Sequence, residues 1–335
     1  MPNWHRIAKG LRTCQNKEGR KAISEIEVRT SELLFLYMSW RIVFIEESEH
    51  LNLYLDNIKV KRGDDEIVLP LSDIHTLIVD NYKTNISVNL INKCSEYNIN
   101  LLLCGIDHMP QSILLPFVGH HQSALMLKKQ IEWSTELKEN LHREIIKHKI
   151  NNQANLLIYL NKDKSVIERI KLFESEVFPG DVTNREGLSA KMYFRELYGV
   201  TFKRFTEDIV NAGLNYGYSI LRSQITKSLL AKGLNTSLGI FHIGATNNFN
   251  LSDDFIEPFR PLIDNWVYHH LLNEKNFTRD HRIALIKITT SSLYFDKKKQ
   301  TLFNVMNLYV DNILNFVENG DTQCIQQPIL IYDSV

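Results

Sequence analysis

The spacing of apolar residues changes once along this chain, near Gly119, and the change restricts what can fold on either side of it. Upstream, Ile58 and Val60 alternate with Lys59 and Lys61, the period-two pattern of a half-buried strand. Residues 40–45 form an apolar run rich in β-formers, and Gly63-Asp64-Asp65 supplies a turn before a strand at 67–69. Residues 74–79, 99–104 and 113–117 read as further strands, with a short helix at about 86–97. Downstream, Leu127, Ile131, Leu137, Leu141 and Ile145 recur at four- or six-residue intervals with charged residues between them, as on one amphipathic helix from Ser123. The helical period continues through 210–230, where Leu214, Tyr218, Leu221 and Ile225 share a stripe, and further helices are expected at about 255–272, 280–290 and 300–318. Pro179-Gly180 is the clear break in this half. The expected fold is α+β: a β-rich N-terminal domain over 38–118, then a larger all-α domain over 119–335, joined near 105–122.

With 335 residues, 44% hydrophobic and 23% charged, the chain can bury a sizeable core. Cys14, Cys94, Cys104 and Cys324 lie far apart, which favours free thiols in a reducing compartment over zinc ligation or disulfides. No apolar run has the length of a membrane span and no secretory signal pattern opens the chain, so a cytoplasmic location is expected. The 39 basic and 39 acidic residues balance, so any surface that neutralises nucleic-acid phosphates must be local. Residues 162–169, 185–204 and the Lys297-Lys298-Lys299 run are candidates, each with the alternative of an ordinary solvated face. Residues 1–37 stand apart, with seven basic and four acidic residues and no strong period. They read either as a basic extension or as a mis-assigned start, because Met38-Ser39-Trp40 is a natural opening for the first strand.

The chemistry-bearing segment runs from His242 to Pro261. Asp254 and Glu257 are three apart, so on a helix both carboxylates address one point. The competing reading is helix-start chemistry, for which Ser252, Asp253 and Asp254 are well suited. Pro258 and Pro261 each remove a backbone N–H, which points to an irregular helix and to Glu257 as a placed carboxylate, with Asp254 supporting it. His242 and Glu186 have their own ordinary readings, a turn histidine and a first-turn glutamate. No pair among the three has a self-sufficient metal spacing, so residue chemistry alone supports only a weak metal hypothesis.

Three ordered blocks carry more. REGLSAKMYF from Arg185, VNAGLNYGYSIL from Val210 and HIGATNNFNLSDDFIEPFRPLID from His242 resemble the signature blocks of the CRISPR-associated integrase-endonuclease of spacer acquisition, with most likeness to the type II branch. The resemblance extends from Met38 onward and includes LLLCGIDHMPQSILLPFVGHHQS from Leu101. It implies that Glu186, His242 and Glu257 bind the catalytic Mg²⁺ or Mn²⁺, with Asp254 as the neighbouring acid; other branches use aspartate where this chain has Glu257. It implies an enzyme that inserts short DNA fragments as new spacers into a CRISPR array by 3′-OH transesterification. The implied partners are DNA, a second copy joined through the β-rich domain, and a small ferredoxin-like protein whose central dimer is flanked by two dimers of this chain. Asn211, Asn215, Tyr216, Tyr218 and Arg260 are candidates to line the DNA path, although tyrosines at helical spacing also suit a core and Arg260 also suits a carboxylate. His108, His120 and His121 lie near the joint, where a turn or interface role is expected. Two alternatives remain at this level: a non-catalytic DNA-binding scaffold, and a hydrolytic nuclease for branched DNA.

Overall fold

The computed structural model describes residues 33–35, 41–48, 50–62, 65–114, 116 and 120–332. Most of the 1–37 segment, the Met38-Ser39-Trp40 opening, Gly63-Asp64, Gly119 and Cys14 lie outside them. Two sheets open the fold. The first contains β1 (Leu33–Phe35), β2 (Arg41–Ile45), β6 (Ile74–Val79), β8 (Asn100–Cys104) and β9 (Pro110–Leu114), in that spatial order. Its inner pairs β2–β6 and β6–β8 are parallel, and its outer pairs are antiparallel. The second has the order β5 (Asp65–Pro70), β4 (Asn57–Arg62), β3 (His50–Tyr54), β7 (Asn85–Ile86). Helix α1 (Val88–Glu96) starts at Ser87, whose hydroxyl accepts from Leu90 N. β1 lies inside the segment expected to stand outside the fold and pairs with β2, so the first sheet begins before Met38.

Both faces of the first sheet are covered. Val43, Ile45, Leu77, Val79 and Leu101 join Leu51, Ile58, Val60, Leu69 and Leu90 in one core cluster. Their strand neighbours Ile42, Phe44, Ile78, Leu102 and Cys104 belong to the core of the helical half. The apolar runs at 42–45, 77–79 and 101–103 follow from this two-sided burial.

The helical half holds α2 (Ser123–Ile131), α3 (Thr135–Tyr159), α4 (Lys164–Ser175), α5 (Arg185–Tyr198), α6 (Ile209–Ala231), α7 (Asn250–Phe255), α8 (Arg260–His270), α9 (Arg279–Lys287) and α10 (Leu302–Asn319). The single helix expected from Ser123 is therefore two. Ser134 caps α3 by accepting from Leu137 N at 3.1 Å, and buried Trp133 fills the corner. A hairpin of β10 (Ser292–Phe295) and β11 (Lys298–Thr301) also corrects the all-α expectation; Lys297, Lys298 and Lys299 are exposed at and beyond its turn. At Pro179–Asp181 the chain makes a 3-10 turn, with Gly180 at φ 70° where a side chain would strain. No helix among the described residues is long and apolar enough to cross a membrane.

Candidate metal centre

α3 forms one wall of the site. Lys149, Asn152 and Gln153 share a face of it, at spacings of three and four, and all are buried. Gln153 Oε1 accepts from Ser189 Oγ of α5 at 3.0 Å, and Asn152 Nδ2 donates to Pro258 O at 2.8 Å. One helix face therefore fixes both α5, which carries Glu186, and the turn that carries Glu257.

Glu186 sits in the first turn of α5. The amides there are already occupied: Asp181 accepts from Arg185 N at 2.8 Å and Glu186 N at 2.9 Å, and Asn184 accepts from Gly187 N at 3.2 Å. The Glu186 carboxylate is thus free to turn toward α3, where Oε1 accepts from Lys149 Nζ at 2.6 Å. Burial pushes its carboxyl up, but Lys149 outweighs that and holds it below the ordinary glutamate range. His142, two turns before Lys149, places Nε2 3.9 Å from Glu186 Oε2. Both of its ring nitrogens are buried without a hydrogen-bond partner, and its ring stacks on Phe241.

The two acids of the D-x-x-E segment part company. α7 ends at Phe255, Glu257–Phe259 forms a 3-10 turn, and α8 restarts at Arg260 with Pro261 in its first turn. Glu257 faces α3: Oε2 lies 2.7 Å from Lys149 Nζ, and Oε1 lies 3.1 Å from Arg260 Nη2. Asp254 engages the 240–242 loop. It accepts from the backbone N–H groups of Ile240, Phe241 and His242 and takes His242 Nδ1 at 2.6 Å. The two carboxylates thus take different hydrogen-bond and ion-pair partners, and both act electrostatically on His242. The hydrogen bond to Asp254 raises the His242 pKa above the ordinary value. It also directs the other ring nitrogen, Nε2, away from Asp254. The loop closes so tightly that a side chain at Gly239 would collide with His242 O.

The DNA-path expectations for Tyr216 and Tyr218 are corrected by burial, since both are core residues. Tyr218 OH and Tyr193 OH donate to the Asp264 carboxylate, the latter at 2.7 Å. Burial raises Asp264 to about 6 against the pull of those two hydroxyls. The Tyr218 ring lies 4.8 Å beneath the Arg260 guanidinium and so supports it from within. Asn211 is also buried, and it clamps Arg204 together with exposed Asn215, each accepting at 2.9 Å. His120 serves its turn by accepting from Gln122 N at 3.2 Å.

Glu186, His242 and Glu257 do not close to within 4.8 Å of one another; among the described residues the group that does is Glu46, Asp80 and His108. That second group is tied into an ion-pair network. Arg282 donates to Asp80 at 2.9 Å and Glu46 at 3.0 Å, Arg279 pairs with Glu46, and His108 Nδ1 lies 2.9 Å from Asp80. Two guanidiniums already neutralise its carboxylates. The Glu186–Glu257 pair fits a cation. Two hard oxygen donors, one from α5 and one from the 3-10 turn before α8, converge on one positive charge, and an imidazole with Nδ1 already engaged lies within electrostatic reach of both. Glu257 Oε2 is buried, with the Lys149 ammonium 2.7 Å away. Spacing alone did not reveal Lys149, His142, Asn152 or Gln153; the available signal was polar residues recurring at helical intervals on the face that turns inward.

A fold of two small sheets followed by a mostly helical half, with a carboxylate–histidine cluster at the junction of α3, α5 and α8, has clear relatives. The family model described as "CRISPR associated protein Cas1" matches residues 42–291. The CRISPR-associated endonuclease Cas1 of Neisseria meningitidis is 36% identical over 232 residues, covering 69% of this chain and 76% of that protein. Among solved structures, a casposase bound to integration product superposes with a TM-score of 0.69 at 18% identity, covering 84% of this chain and 91% of the other. A Cas1 protein from Thermotoga maritima gives 0.67 at 15% identity, over 83% and 97%. The chain belongs to the CRISPR associated protein Cas1 family.

Proposed function

We propose that this chain is a divalent-metal-dependent DNA integrase and endonuclease that inserts short DNA fragments into a CRISPR array. The observation that carries the reading is the convergence of Glu186 and Glu257 on one point beside a histidine oriented by Asp254. The endonuclease name of the Neisseria relative and the integration product of the casposase support the class of reaction and DNA as partner. Homodimerisation and a small ferredoxin-like partner are proposed from the family resemblance.

Glu186, His242 and Glu257 would hold Mg²⁺ or Mn²⁺, which when bound stabilises charge on phosphoryl oxygens and aligns the attacking and leaving oxygens. The remaining work falls to the chain itself. Asp254 holds the His242 ring and its loop in one orientation, so ring Nε2 is presented without a search over rotamers. Arg260, backed by Tyr218, is anchored on Glu257 and holds that carboxylate in place beside Lys149. In the reaction, the fragment's 3′-oxygen forms a bond to phosphorus at the repeat border and the array strand's 3′-oxygen leaves. One phosphodiester replaces another, and water in place of the 3′-OH gives cleavage.

The test is strand transfer of end-labelled fragments into a supercoiled CRISPR plasmid, with Mn²⁺ and the small partner present. Glu186→Ala, His242→Ala and Glu257→Ala should each lower the product at least about 100-fold, and Asp254→Asn about 10- to 100-fold. Unimpaired transfer by the three alanine variants would instead make the chain a scaffold. Efficient cleavage by the chain alone, with no transfer product, would make it a hydrolytic nuclease.

A further inference from the structure

The Lys149 ammonium occupies the place where a ligated cation would be expected. Its side chain is 10% exposed, and it touches the two inner oxygens of the pair, Glu186 Oε1 at 2.6 Å and Glu257 Oε2 at 2.7 Å. The two outer oxygens have other neighbours: His142 lies 3.9 Å from Glu186 Oε2, and Arg260 lies 3.1 Å from Glu257 Oε1. Without a cation between them, two buried carboxylates this close could not both stay ionised. With Lys149 and Arg260 in place the four charges cancel, and the pocket is neutral. A divalent ion added to that neutral set would meet an ammonium already on its ligand atoms.

We propose that Lys149 is a resident counter-cation that competes with the divalent metal for Glu186 and Glu257, so that loading the ion displaces the ammonium from both. The inference rests on the metal-centre reading above and adds an order of events to it. The lysine stem has four methylenes between backbone and charge, so the ammonium can move several ångströms while α3 stays fixed. Asn152 and Gln153 keep α3 docked on the Glu257 turn and on α5 throughout. After displacement the pocket has changed from neutral to positive, with the freed ammonium at its edge. A phosphodiester is therefore attracted to the loaded site and not to the unloaded one. The failure of Glu186, His242 and Glu257 to close within 4.8 Å has the same cause on one side: the carboxylates are spaced around an ammonium.

The experiment uses the full chain without DNA. Mn²⁺ binding is titrated by the loss of the free-ion EPR signal, and thermal melting is recorded with and without Mn²⁺. Lys149→Met keeps the stem and removes the charge. It should melt lower than wild type in the absence of metal, bind Mn²⁺ at least about tenfold more tightly, and gain more on Mn²⁺ addition. A lower melting temperature with unchanged or weaker Mn²⁺ affinity would mean that Lys149 is only a structural ion pair, and would overturn the proposal. A second measurement needs no variant: reductive methylation of wild type, followed by peptide mass spectrometry. Methylation at Lys149 should rise when Mn²⁺ is present, and protection that is unchanged or increased would also overturn it. Mn²⁺ binding that Glu186→Ala abolishes but Lys149→Met leaves unaltered refutes the competition alone. No site-specific Mn²⁺ binding by wild type refutes the metal reading itself.

Discussion

At the scale of single residues, buried titratable groups set how the protein responds to acid. His148 on α3 is buried beside Tyr309, with Nδ1 3.2 Å from its hydroxyl, and burial lowers its pKa to about 4. The unfolded chain takes up the proton near the ordinary value of 6.5, so between the two values the unfolded state binds more protons. The stabilisation from a neutral His148 is therefore present above pH 6.5 and is lost as pH falls through about 4. Chemical denaturation of His148→Phe should show a shallower loss of stability over that window, by up to about 1.4 kcal/mol per pH unit; an identical slope would refute the assignment. Very little of this was legible in the chain itself. His148 lies in a charged stretch, Lys147-His148-Lys149, that reads as a solvated helix face. Only packing against α10, about 160 residues later, turns it inward. Lys149 was hidden in the same way. The three proposed ligands were found through block resemblance, because helix capping and turn chemistry account equally well for each residue taken alone.

Elements were more legible than residues. The helical stripe over 210–230 became α6 almost residue for residue, since Asp208 accepts from Asn211 N and Gly233 takes φ 79° just past the end. Two glycines of that helix, Gly213 and Gly217, let α8 approach closely: a methyl at Gly217 would collide with Ile263, and one at Gly213 with Leu271. Gly217→Ala should cost about 1–3 kcal/mol in denaturant unfolding. It should also shift α8, which begins at Arg260 beside Glu257, so strand transfer should fall with it. A variant that unfolds like wild type would mean that α8 has slack there. Less legible were α2 and α3 as separate helices, because the apolar period runs on across their break and only the Ser134 cap marks it. The β10–β11 hairpin was missed because its four-residue strands lie between helices and carry a lysine run at the turn.

At the scale of the molecule, the first sheet belongs to two cores at once, with alternate residues of β2, β6 and β8 facing each. Buried Arg282 adds a polar tie by joining α9 to Glu46 and Asp80 at the ends of β2 and β6. β6 and α6 should therefore open together, with one free energy in native-state hydrogen exchange. Arg282→Met should lower both by about 3–5 kcal/mol, because it takes the guanidinium from the buried Asp80 carboxylate; separate opening energies would show two independent units. The tie on the other flank of the site has a consequence in time. Asn152 of α3 is held by Pro328 O, Gln327 Nε2 and the Tyr332 hydroxyl, the last of these 180 residues further along the chain. At ribosomal rates of about 5–20 residues per second, α3 waits roughly 10–35 s for that clasp. The helix that carries the proposed metal centre thus stays unclasped on the nascent chain until residues 327–332 have been made.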